Sequence, residues 1–507
     1  MKLISQYNTK INYNYIIYTM NINKCACGYK DDNDSELLEF KYNDRCYFKK
    51  NKWQKKTSFK NSVDKCGVKY DSDCHKKNTF CEKVIKFSRE DLPFRIQEPG
   101  TYCLTDNVMF TDLASAAIII ETSDVHLDLA HHYIDLLNTG AQAINIRNAS
   151  RVSIYNGTIK NVTFNNQILE DINIPPFSNI YTLPNIRLAA IKADRVSLLD
   201  ISNLVVENAP YGIVITNAGN NIVINNVRMN KIGTTIAVPV NNTTVNEPLG
   251  AGIVVGGQTN TIRARDILIE DVVLSSDDAK FGILLVFVNS FVIARSMASS
   301  GRFISVPPTI LANVGSVAIM DSSYGSIVNS HLHSGIQPIF TIRAYSINIE
   351  DIKMVDTLSD GVQLTFSDHI TIRNCETQRS NASANLLEPG SGYKLYVCNC
   401  CVVEDSVATG FTTGTTGPNG VGITLSACNN CTIVDNITTC NNIGIQELLT
   451  FSADRIYVGT PSTYYRNISH SNNITNYQNI SDQIIDTNGV PVNTTVVPWA
   501  NLEKNLL

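Results

Sequence analysis

The chain has 507 residues, of which 43% are hydrophobic and 17% are charged, so it supplies a sizeable core and is not a disordered protein. Its formal net charge of −5 argues against nucleic-acid binding by the protein as a whole. The charge is uneven, because residues 1–90 hold 19 Lys and Arg against 11 Asp and Glu, whereas the remainder is acidic. These figures indicate a small basic region followed by a long acidic one.

The basic region, residues 1–90, holds six of the 14 cysteines. Cys66, Cys74 and Cys81, with His75, are candidate ligands for Zn²⁺, although their spacing differs from the paired two-residue gaps typical of zinc sites. A small disulfide-stapled domain and plain free thiols are the alternatives. Six lysines surround Trp53 between residues 49 and 60, which indicates either contact with an acidic polymer or a solvated lysine face.

The sequence leaves the compartment open. The beginning of the chain lacks the continuous apolar stretch and small-residue cleavage site of a signal peptide. No run of 18 apolar residues occurs, so no membrane-spanning helix is predicted. The Asn-, Ile-, Lys- and Tyr-rich composition is typical of AT-rich genomes such as those of large DNA viruses, and a virion or an extracellular surface is compatible with it.

A repeated block dominates residues 143–437. It opens on a small residue, usually Gly, followed by alternating aliphatic residues, a polar turn and a second alternating pair. Consecutive copies from residue 252 onward begin 20 to 36 residues apart. The copies begin at Ala143, Gly212, Gly252, Gly282, Ala318, Pro338, Gly361, Gly392 and Gly422.

Each block predicts two short strands that have one side facing the core. The turns are too short for a crossover helix and lack the Asn-Gly or Asp-Gly signal of a hairpin. Strands of this kind pair in parallel with the equivalent strands of the next block, which winds the chain into a solenoid. A sandwich of short β-strands is the alternative, and its hairpin signals are missing.

Three segments near the start of the repeats resemble the right-handed parallel β-helix superfamily, which has the pectin-lyase-like fold. They are PGTYCL at 99–104, LDLAHH at 127–132 and VSIYNGTI at 152–159, with Ala130-His131 replacing the Asn-Gly of the family pattern. The resemblance implies a right-handed, single-stranded parallel β-helix that contacts glycans. The superfamily includes lyases, hydrolases, adhesins and non-catalytic proteins, so the fold alone does not select among them.

The predicted organisation is therefore all-β, with a basic Cys-rich region at 1–90, a parallel β-helix at 91–460 and a cap or tail at 461–507. The predicted function is that of a non-catalytic surface or structural module that contacts a polysaccharide and needs no cofactor. One alternative is a polysaccharide lyase or glycoside hydrolase. Another is a viral or cell-surface attachment protein, for which a homotrimer is expected.

Spacers rich in Pro, Gly, Asn and Thr follow several blocks, and they are expected to leave at one corner and line the binding face.

Asp277 and Asp278 are the candidate catalytic residues, because Ser-Ser-Asp-Asp at 275–278 resembles the paired-Asp motif of polygalacturonases. The other three motifs of those enzymes are missing, so a solvated turn is the simpler interpretation. A double substitution of these two residues distinguishes the two interpretations.

A polar row recurs thirteen residues after the block starts, at Asn156, Arg295, His331, Asp351, Asn374, Asp405 and Asp435. Asn and Asp tolerate the left-handed backbone of a solenoid corner, so the row predicts a ladder of turns. Alternatively, Glu404, Asp405 and Asp435 bind Ca²⁺, since carboxylates on successive coils supply the oxygen ligands that this ion prefers.

Four cysteines occupy equivalent positions in the last two blocks. The alignment stacks Cys398 over Cys428 and Cys401 over Cys431, with Cα atoms about 4.8 Å apart. This separation falls in the range that a disulfide bridges. Cys401 and Cys431 are expected to point inward as buried thiols, while Cys398 and Cys428 are expected at the turn, where a bridge forms more easily.

Overall fold

The computed structural model describes residues 84–112, 116–137, 141–162, 189–240, 243–275, 279–299, 315–379, 390–412, 420–452, 456–460, 462–478, 484–485, 491–492 and 501–504. The chain divides into two compact units, residues 1–60 and 61–507, and all described residues belong to the second. Apart from a single 3-10 turn at Arg89–Asp91, the regular structure of the described residues is β-strand. The predicted all-β class is confirmed.

The strands form a right-handed parallel β-helix whose coils have three faces rather than the two strands predicted per coil. The first face is a parallel sheet of 14 strands, one from each coil. Its strands are Phe94–Ile96, Ile118–Ile120, Ile144–Arg147, Ala189–Asp194, Tyr211–Thr216, Ala251–Gly256, Phe281–Val286, Gly315–Met320, Gln337–Ile342, Val362–Thr365, Ser391–Tyr396, Val421–Ser426, Ile443–Leu448 and Thr475–Gln478.

The second and third faces follow the first within each coil. In five coils one bent strand supplies both, namely Ser150–Lys160, Ser197–Ala209, Asn220–Ile232, Ser323–Gly335 and Tyr345–Thr357. Elsewhere the second face consists of Val84–Phe87, Gly100–Leu104, Val125–Asp128, Ala264–Glu270, Val288–Ala294, Asp368–Arg373, Val402–Glu404, Thr432–Val434, Thr463–Tyr465 and Ile484–Ile485. The third face consists of Val108–Met109, Tyr133–Asp135, Val273–Ser275, Met297–Ser299, Glu376–Arg379, Val407–Thr409, Ile437–Thr439, Asn467–His470 and Asn501–Lys504. A short strand, Pro491–Val492, pairs antiparallel with Ile484–Ile485.

Aliphatic residues stack in register along the axis and form one continuous core. On the first face, Ile213 pairs with Ile253, Ile253 with Ile283, and Ile283 with Val317. All four side chains are fully buried. Burying a side chain of this size stabilises the fold by about 1.5–3 kcal/mol, and each coil repeats the contribution. The alternating aliphatic residues of the repeated block are these inward rows.

The corner between the second and third faces is a row of residues in the left-handed backbone region. Six of the seven predicted positions occupy it: Asn156, Arg295, Asp351, Asn374, Asp405 and Asp435, with φ between 47° and 60°. The exception is His331, which lies in the third-face strand, while Asn329 (φ 49°) takes the corner of that coil. Ser316 lies next to Gly282 in the paired first-face strands. The block containing His331 therefore begins at Ser316 and not at Ala318, where the sequence pattern places it. The predicted ladder of turns is otherwise confirmed.

Of the long spacers predicted at about 160–190, 232–250, 300–316 and 407–420, the second is described and the others lie mostly outside the described residues; in the chain all four fall between a third-face strand and the next first-face strand. Residues 163–188, 300–314, 380–389 and 413–419 all occupy this position in the chain. So does an antiparallel hairpin, Thr234–Val240 with Thr243–Leu249. The predicted corner, called the third corner below, is confirmed for this hairpin, and for the spacers outside the described residues it stays a prediction. A second hairpin, Thr450–Ser452 with Ile456–Val458, instead follows a first-face strand.

The outward side of the first face is apolar and buried between Ala189 and Ile342. Tyr211, Phe281 and Phe340 point away from the central core and yet are at most 1% exposed. They belong to a second hydrophobic cluster of 13 residues on this side of the sheet. The outward side of the first face is therefore a second core in these coils, and a binding face beside the spacers stays a prediction.

The solenoid continues past residue 460, where the sequence predicts a cap or tail. Tyr464 pairs with Ile433, Ile468 with Ile437, and Tyr477 with Ile445, one pair on each face. These residues therefore build a further coil with three faces.

Candidate functional site

Three aromatic side chains form an exposed row at the first corner, where the first face turns into the second. Tyr324 is 58% exposed and Tyr345 is 41% exposed, and His369 is exposed as well. The Tyr324 and Tyr345 ring centroids lie 5.6 Å apart, and those of Tyr345 and His369 lie 5.1 Å apart. The row, called the aromatic row below, spans three consecutive coils and follows the axis of the solenoid.

Stacking of the coils puts these rings next to one another. Tyr345 pairs in register with Ser323 on one side and with Asp368 on the other. Tyr324 and His369 each follow those partners at corner positions with φ 56°. An apolar ring on the surface costs solvation free energy unless a partner covers it, so a contiguous exposed row of rings is typical of a binding surface.

Hydrogen-bonding groups adjoin the aromatic row. The Arg263 guanidinium donates to Ser323 Oγ at 2.9 Å, and Ser323 Oγ donates to Asn289 Oδ1 at 3.2 Å. On the other side, partial burial and the neighbouring Cys401 raise the pKa of the Asp368 carboxyl. The surface thus combines flat apolar rings with donors and acceptors, which suits a ligand that is itself both apolar and hydroxylated.

A ladder of ion pairs covers the second face and the second corner. Arg373 Nε lies 3.6 Å from Glu350 and 3.2 Å from Glu404, on the coils before and after it. Asp435 is paired with Arg466 in the same way. These groups are between 30% and 48% exposed, so each pair contributes at most about 1 kcal/mol to stability.

The candidate Ca²⁺ ligands belong to this ladder. Asp405 and Asp435 lie on successive coils, as the alignment predicts, while Glu404 and Asp435 each have an arginine partner. Across the described stretches of the chain, no three His, Cys, Asp or Glu side chains are arranged to hold a metal ion. Binding of Ca²⁺ at Glu404, Asp405 and Asp435 stays a prediction.

A second cluster lies on the third face and consists of His331, His333, Lys353, Asp356 and Glu376, called the histidine cluster below. The two imidazole centroids are 6.3 Å apart, and His333 Nε2 lies 3.4 Å from Asp356 Oδ2. Lys353 Nζ lies 3.4 Å from Glu376 Oε2. His331 Nε2 is shielded from water and has no hydrogen-bond partner. Burial, then the nearby His333 and Lys353, lowers the pKa of His331, so its imidazole is neutral at neutral pH.

Five candidate residues lie outside the described part of the chain. Asp277 and Asp278 come two and three residues after the end of the third-face strand Val273–Ser275, and Cys66, Cys74 and Cys81 precede the first strand. Their proposed roles in catalysis and in zinc binding stay predictions.

The stacked cysteines have the predicted register. Asn399 pairs with Asn429 and Val402 with Thr432, which puts Cys398 beside Cys428 and Cys401 beside Cys431. All four are free thiols and are at most 3% exposed. Cys398 and Cys428 lie at the first corner, directly after Val397 and Ala427 with φ 52° and 51°, so their expected place at the turn is confirmed, although both side chains are buried inside the solenoid. Their side chains turn inward because each thiol donates to a backbone carbonyl at the corner.

Neither the aromatic row nor the histidine cluster was predicted from the sequence. Tyr324, Tyr345 and His369 lie six, seven and eight residues after their block starts, so a fixed count does not align them. The pairing of the second-face strands, which the sequence does not give, places the three side chains next to one another. His331 and His333 were visible only as a His-Leu-His alternation without a charged partner nearby in sequence.

No protein-family model and no curated protein sequence matches the chain. Among solved structures, the mannuronan C-5 epimerase AlgE4 A-module of Azotobacter vinelandii aligns with a TM-score of 0.43 and 12% identity, over 70% of this chain and 90% of that one. PfbA, a surface adhesin of Streptococcus pneumoniae, aligns with a TM-score of 0.40 and 10% identity, over 74% and 86%. The PL6 family alginate lyase AlyGC aligns with a TM-score of 0.46 and 9% identity, over 84% and 54%.

At these identities the likeness concerns the fold alone. A viral origin stays a prediction from composition. Among the residues with described structure, no helix has the length and hydrophobicity needed to cross a bilayer.

Proposed function

We propose that the protein is a non-catalytic glycan-binding β-solenoid and that the aromatic row is its contact surface. The observation that carries this proposal is the line of three exposed rings on consecutive coils. A sugar ring presents apolar C–H groups on its face and hydroxyls on its rim. The rings of Tyr324 and Tyr345 offer a surface for the face, while Arg263 and Asp368 offer partners for the hydroxyls.

The direction of the aromatic row favours a polymer over a single sugar. The rings repeat along the solenoid axis at 5.6 and 5.1 Å, a spacing comparable to the length of one hexose unit. The ring planes are inclined to one another by 80° and 53°, so an extended polysaccharide lying along the axis would meet the face of one ring and the edge of the next. Such a ligand gains affinity from several weak contacts at once.

The test is a glycan-array screen of the full chain, followed by calorimetric titration of the best oligosaccharide. Replacing Tyr324 and Tyr345 together by Ala is expected to weaken binding about tenfold or more, since loss of two ring contacts of about 0.5–1.5 kcal/mol each removes about 1–3 kcal/mol and 1.4 kcal/mol is tenfold. Tyr465→Ala is the matched control, because this ring lies several coils away beside Arg466. Absence of any glycan ligand, or equal binding by the double variant, would overturn the proposal.

The histidine cluster favours a second candidate function, cleavage of a bound polysaccharide. A neutral imidazole with an unpartnered nitrogen is able to accept a proton, and Lys353, which pairs in register with His331 on the next coil, adds a positive charge to the same surface. Incubation with neutral and acidic polysaccharides, with chromatographic detection of shorter products, tests this function. Products that disappear with His331→Asn, but persist with the distant His470→Asn, would replace the non-catalytic proposal with an enzymatic one.

A further inference from the structure

The interior of the solenoid holds four thiols in mutual contact near its C-terminal end. They are Cys398 and Cys401 on one coil and Cys428 and Cys431 on the next, called the thiol quartet below. Each thiol is within hydrogen-bonding reach of two others, one on its own coil and one on the neighbouring coil. Three of the four side chains are fully buried, and Cys428 is 3% exposed.

The fold itself does not require sulfur at these positions. One coil earlier, Ser367 occupies the place of Cys398, and its hydroxyl donates to Thr365 O at 3.0 Å. The Cys398 thiol makes the same bond to Tyr396 O at 3.4 Å. Ile370 occupies the place of Cys401. A serine and an isoleucine thus satisfy the same corner, and four cysteines in the next two coils indicate a use for their chemistry.

We propose that the thiol quartet is an oxidation site that forms two disulfides between coils, Cys398–Cys428 and Cys401–Cys431. In-register parallel strands place these Cα atoms about 4.8 Å apart, which lies within the range for a disulfide of about 4.4–6.8 Å. The two bonds would add covalent links between two coils whose described strands are joined by backbone hydrogen bonds.

The oxidant is a small disulfide such as oxidised glutathione. A thiolate of the quartet attacks one oxidant sulfur, which breaks the oxidant's S–S bond, releases one thiol and leaves a mixed disulfide. The stacked partner then attacks the protein sulfur of that mixed disulfide and releases the second thiol. Each bond formed in the protein therefore delivers two electrons and two protons to the oxidant.

The chemistry requires a thiolate, and the quartet supplies hydrogen bonds that favour one. A hydrogen bond from Cys398 or from Cys431 favours a thiolate at Cys401 or at Cys428, which lowers the pKa of these two thiols. Because the thiols are shielded from water, the reaction takes place during folding or when the C-terminal coils open locally.

The experiment uses the full chain with Cys400→Ser and Cys440→Ser, since these two cysteines are the more exposed ones in the described coils. The protein is equilibrated with oxidised and reduced glutathione, quenched in acid, alkylated under denaturing conditions and digested for mass spectrometry. The expected result is the two linkages between coils, with a melting temperature several degrees higher than that of the reduced protein.

One double variant keeps the test independent of folding failure. Cys398→Ser with Cys428→Ser copies Ser367, and it is expected to keep the fold while losing one linkage and part of the gain in melting temperature. Linkages within each coil, Cys398–Cys401 and Cys428–Cys431, would overturn the proposal. So would four thiols that stay alkylatable under oxidising conditions, or one equivalent of zinc in the purified protein that protects them.

Discussion

The Lys394 ammonium lies 3.1 Å from the Asp360 carboxylate of the preceding coil, on the outward side of the first face. Both side chains are shielded from water, with 17% and 2% of their surfaces exposed. Asp360 Oδ1 also accepts the Ser391 backbone N–H at 2.8 Å. This pair lies where the apolar outward cluster of the earlier coils gives way to polar residues.

Lys394→Met is expected to destabilise the protein by about 3–5 kcal/mol, because it leaves the Asp360 charge buried without a partner. The double variant Asp360→Asn, Lys394→Met is expected to recover much of that loss, since Asn keeps the acceptor for Ser391 and carries no charge. Urea unfolding of the two single variants and the double variant measures the coupling. A coupling energy near zero would contradict the assigned pairing.

The same pair predicts a loss of stability at high pH. Burial lowers the pKa of Lys394, but attraction to Asp360 and hydrogen bonds to Tyr396 and Asp360 outweigh it and raise the pKa above that of an unfolded lysine. The stabilisation is therefore complete below the unfolded pKa of about 10.4 and is lost as the pH rises above it. Unfolding curves measured from pH 8 to 11 are expected to show this decline in the native protein and a smaller one in Lys394→Met.

Asn436 and Asn467 form an internal ladder at the second corner. Asn436 Oδ1 accepts the Ser406 N–H at 3.0 Å, and Asn436 Nδ2 donates to Val403 O at 2.8 Å. Both asparagines are fully buried. Asn436→Ala is expected to cost about 3 kcal/mol, since each buried group left without a partner costs about 1–3 kcal/mol.

The matched control for this ladder is Asn374→Ala, on the exposed side of the same corner. Asn374 has φ 49°, so its replacement by Ala is expected to cost only about 1–2 kcal/mol from the left-handed backbone. Asn436→Ser, which copies Ser406 of the coil before, is expected to lie between the two. Equal losses of unfolding free energy for the buried and exposed alanine variants would contradict the proposed ladder.

Arg295 is the one basic residue among the six confirmed corner positions, and it bridges Glu270 and Asp271 at 2.6 and 2.9 Å. Arg295→Asn is expected to change stability by less than about 0.5 kcal/mol, because Asn is better suited to φ 47° and exposed pairs contribute little. Thermal unfolding at low and at high salt checks this. A loss of unfolding free energy above about 2 kcal/mol would contradict this expectation, because it would mean that water screens the ion pairs of Arg295 less than the 54% exposure of its side chain indicates.

The titration of His331 depends on charges on two neighbouring coils. Lys353 lowers its pKa and Glu376 raises it, so Lys353→Gln is expected to raise the pKa of His331 and Glu376→Gln to lower it. Imidazole proton shifts followed by NMR against pH measure both. Lys160→Gln, many coils away, serves as the control. Shifts of the same sign for both substitutions would contradict the arrangement of the histidine cluster.

The sequence predicted two of the three faces because their inward positions carry Ile, Val and Leu in strict alternation. The third face was missed because its strands are short and their inward residues include Thr377, Ala408 and Thr438, which do not stand out as core residues. Thr377 and Thr438 are nevertheless fully buried. Small side chains fit there because the third face meets the start of the first face at close distance.

The corner row was predictable because left-handed backbone selects Asn and Asp over most other residues. The candidate surfaces were not, for two physical reasons. Tyr324 and His369 occupy equivalent corner positions, but the block start placed at Ala318 instead of Ser316 hides this equivalence, and Tyr345 lies one residue before the corresponding position of its own coil. Lys394 and Asp360 are charged residues on the outward side of the first face, where a sequence pattern predicts contact with solvent. Their burial, with 17% and 2% of their side chains exposed, is visible only in the folded chain.

Because each coil adds one residue to every row, the solenoid is able to change length without changing its cross-section. Gain or loss of one complete turn of about 20 to 36 residues would lengthen or shorten each row by one position of about 4.8 Å and leave all other pairings intact. Insertion of one residue within a strand would instead reverse the alternation of inward and outward side chains beyond it. Duplication of whole turns is thus the tolerated route by which such a chain acquires a longer surface. Extra segments at the third corner, such as the hairpin Thr234–Leu249, leave the strand pairing of the solenoid intact.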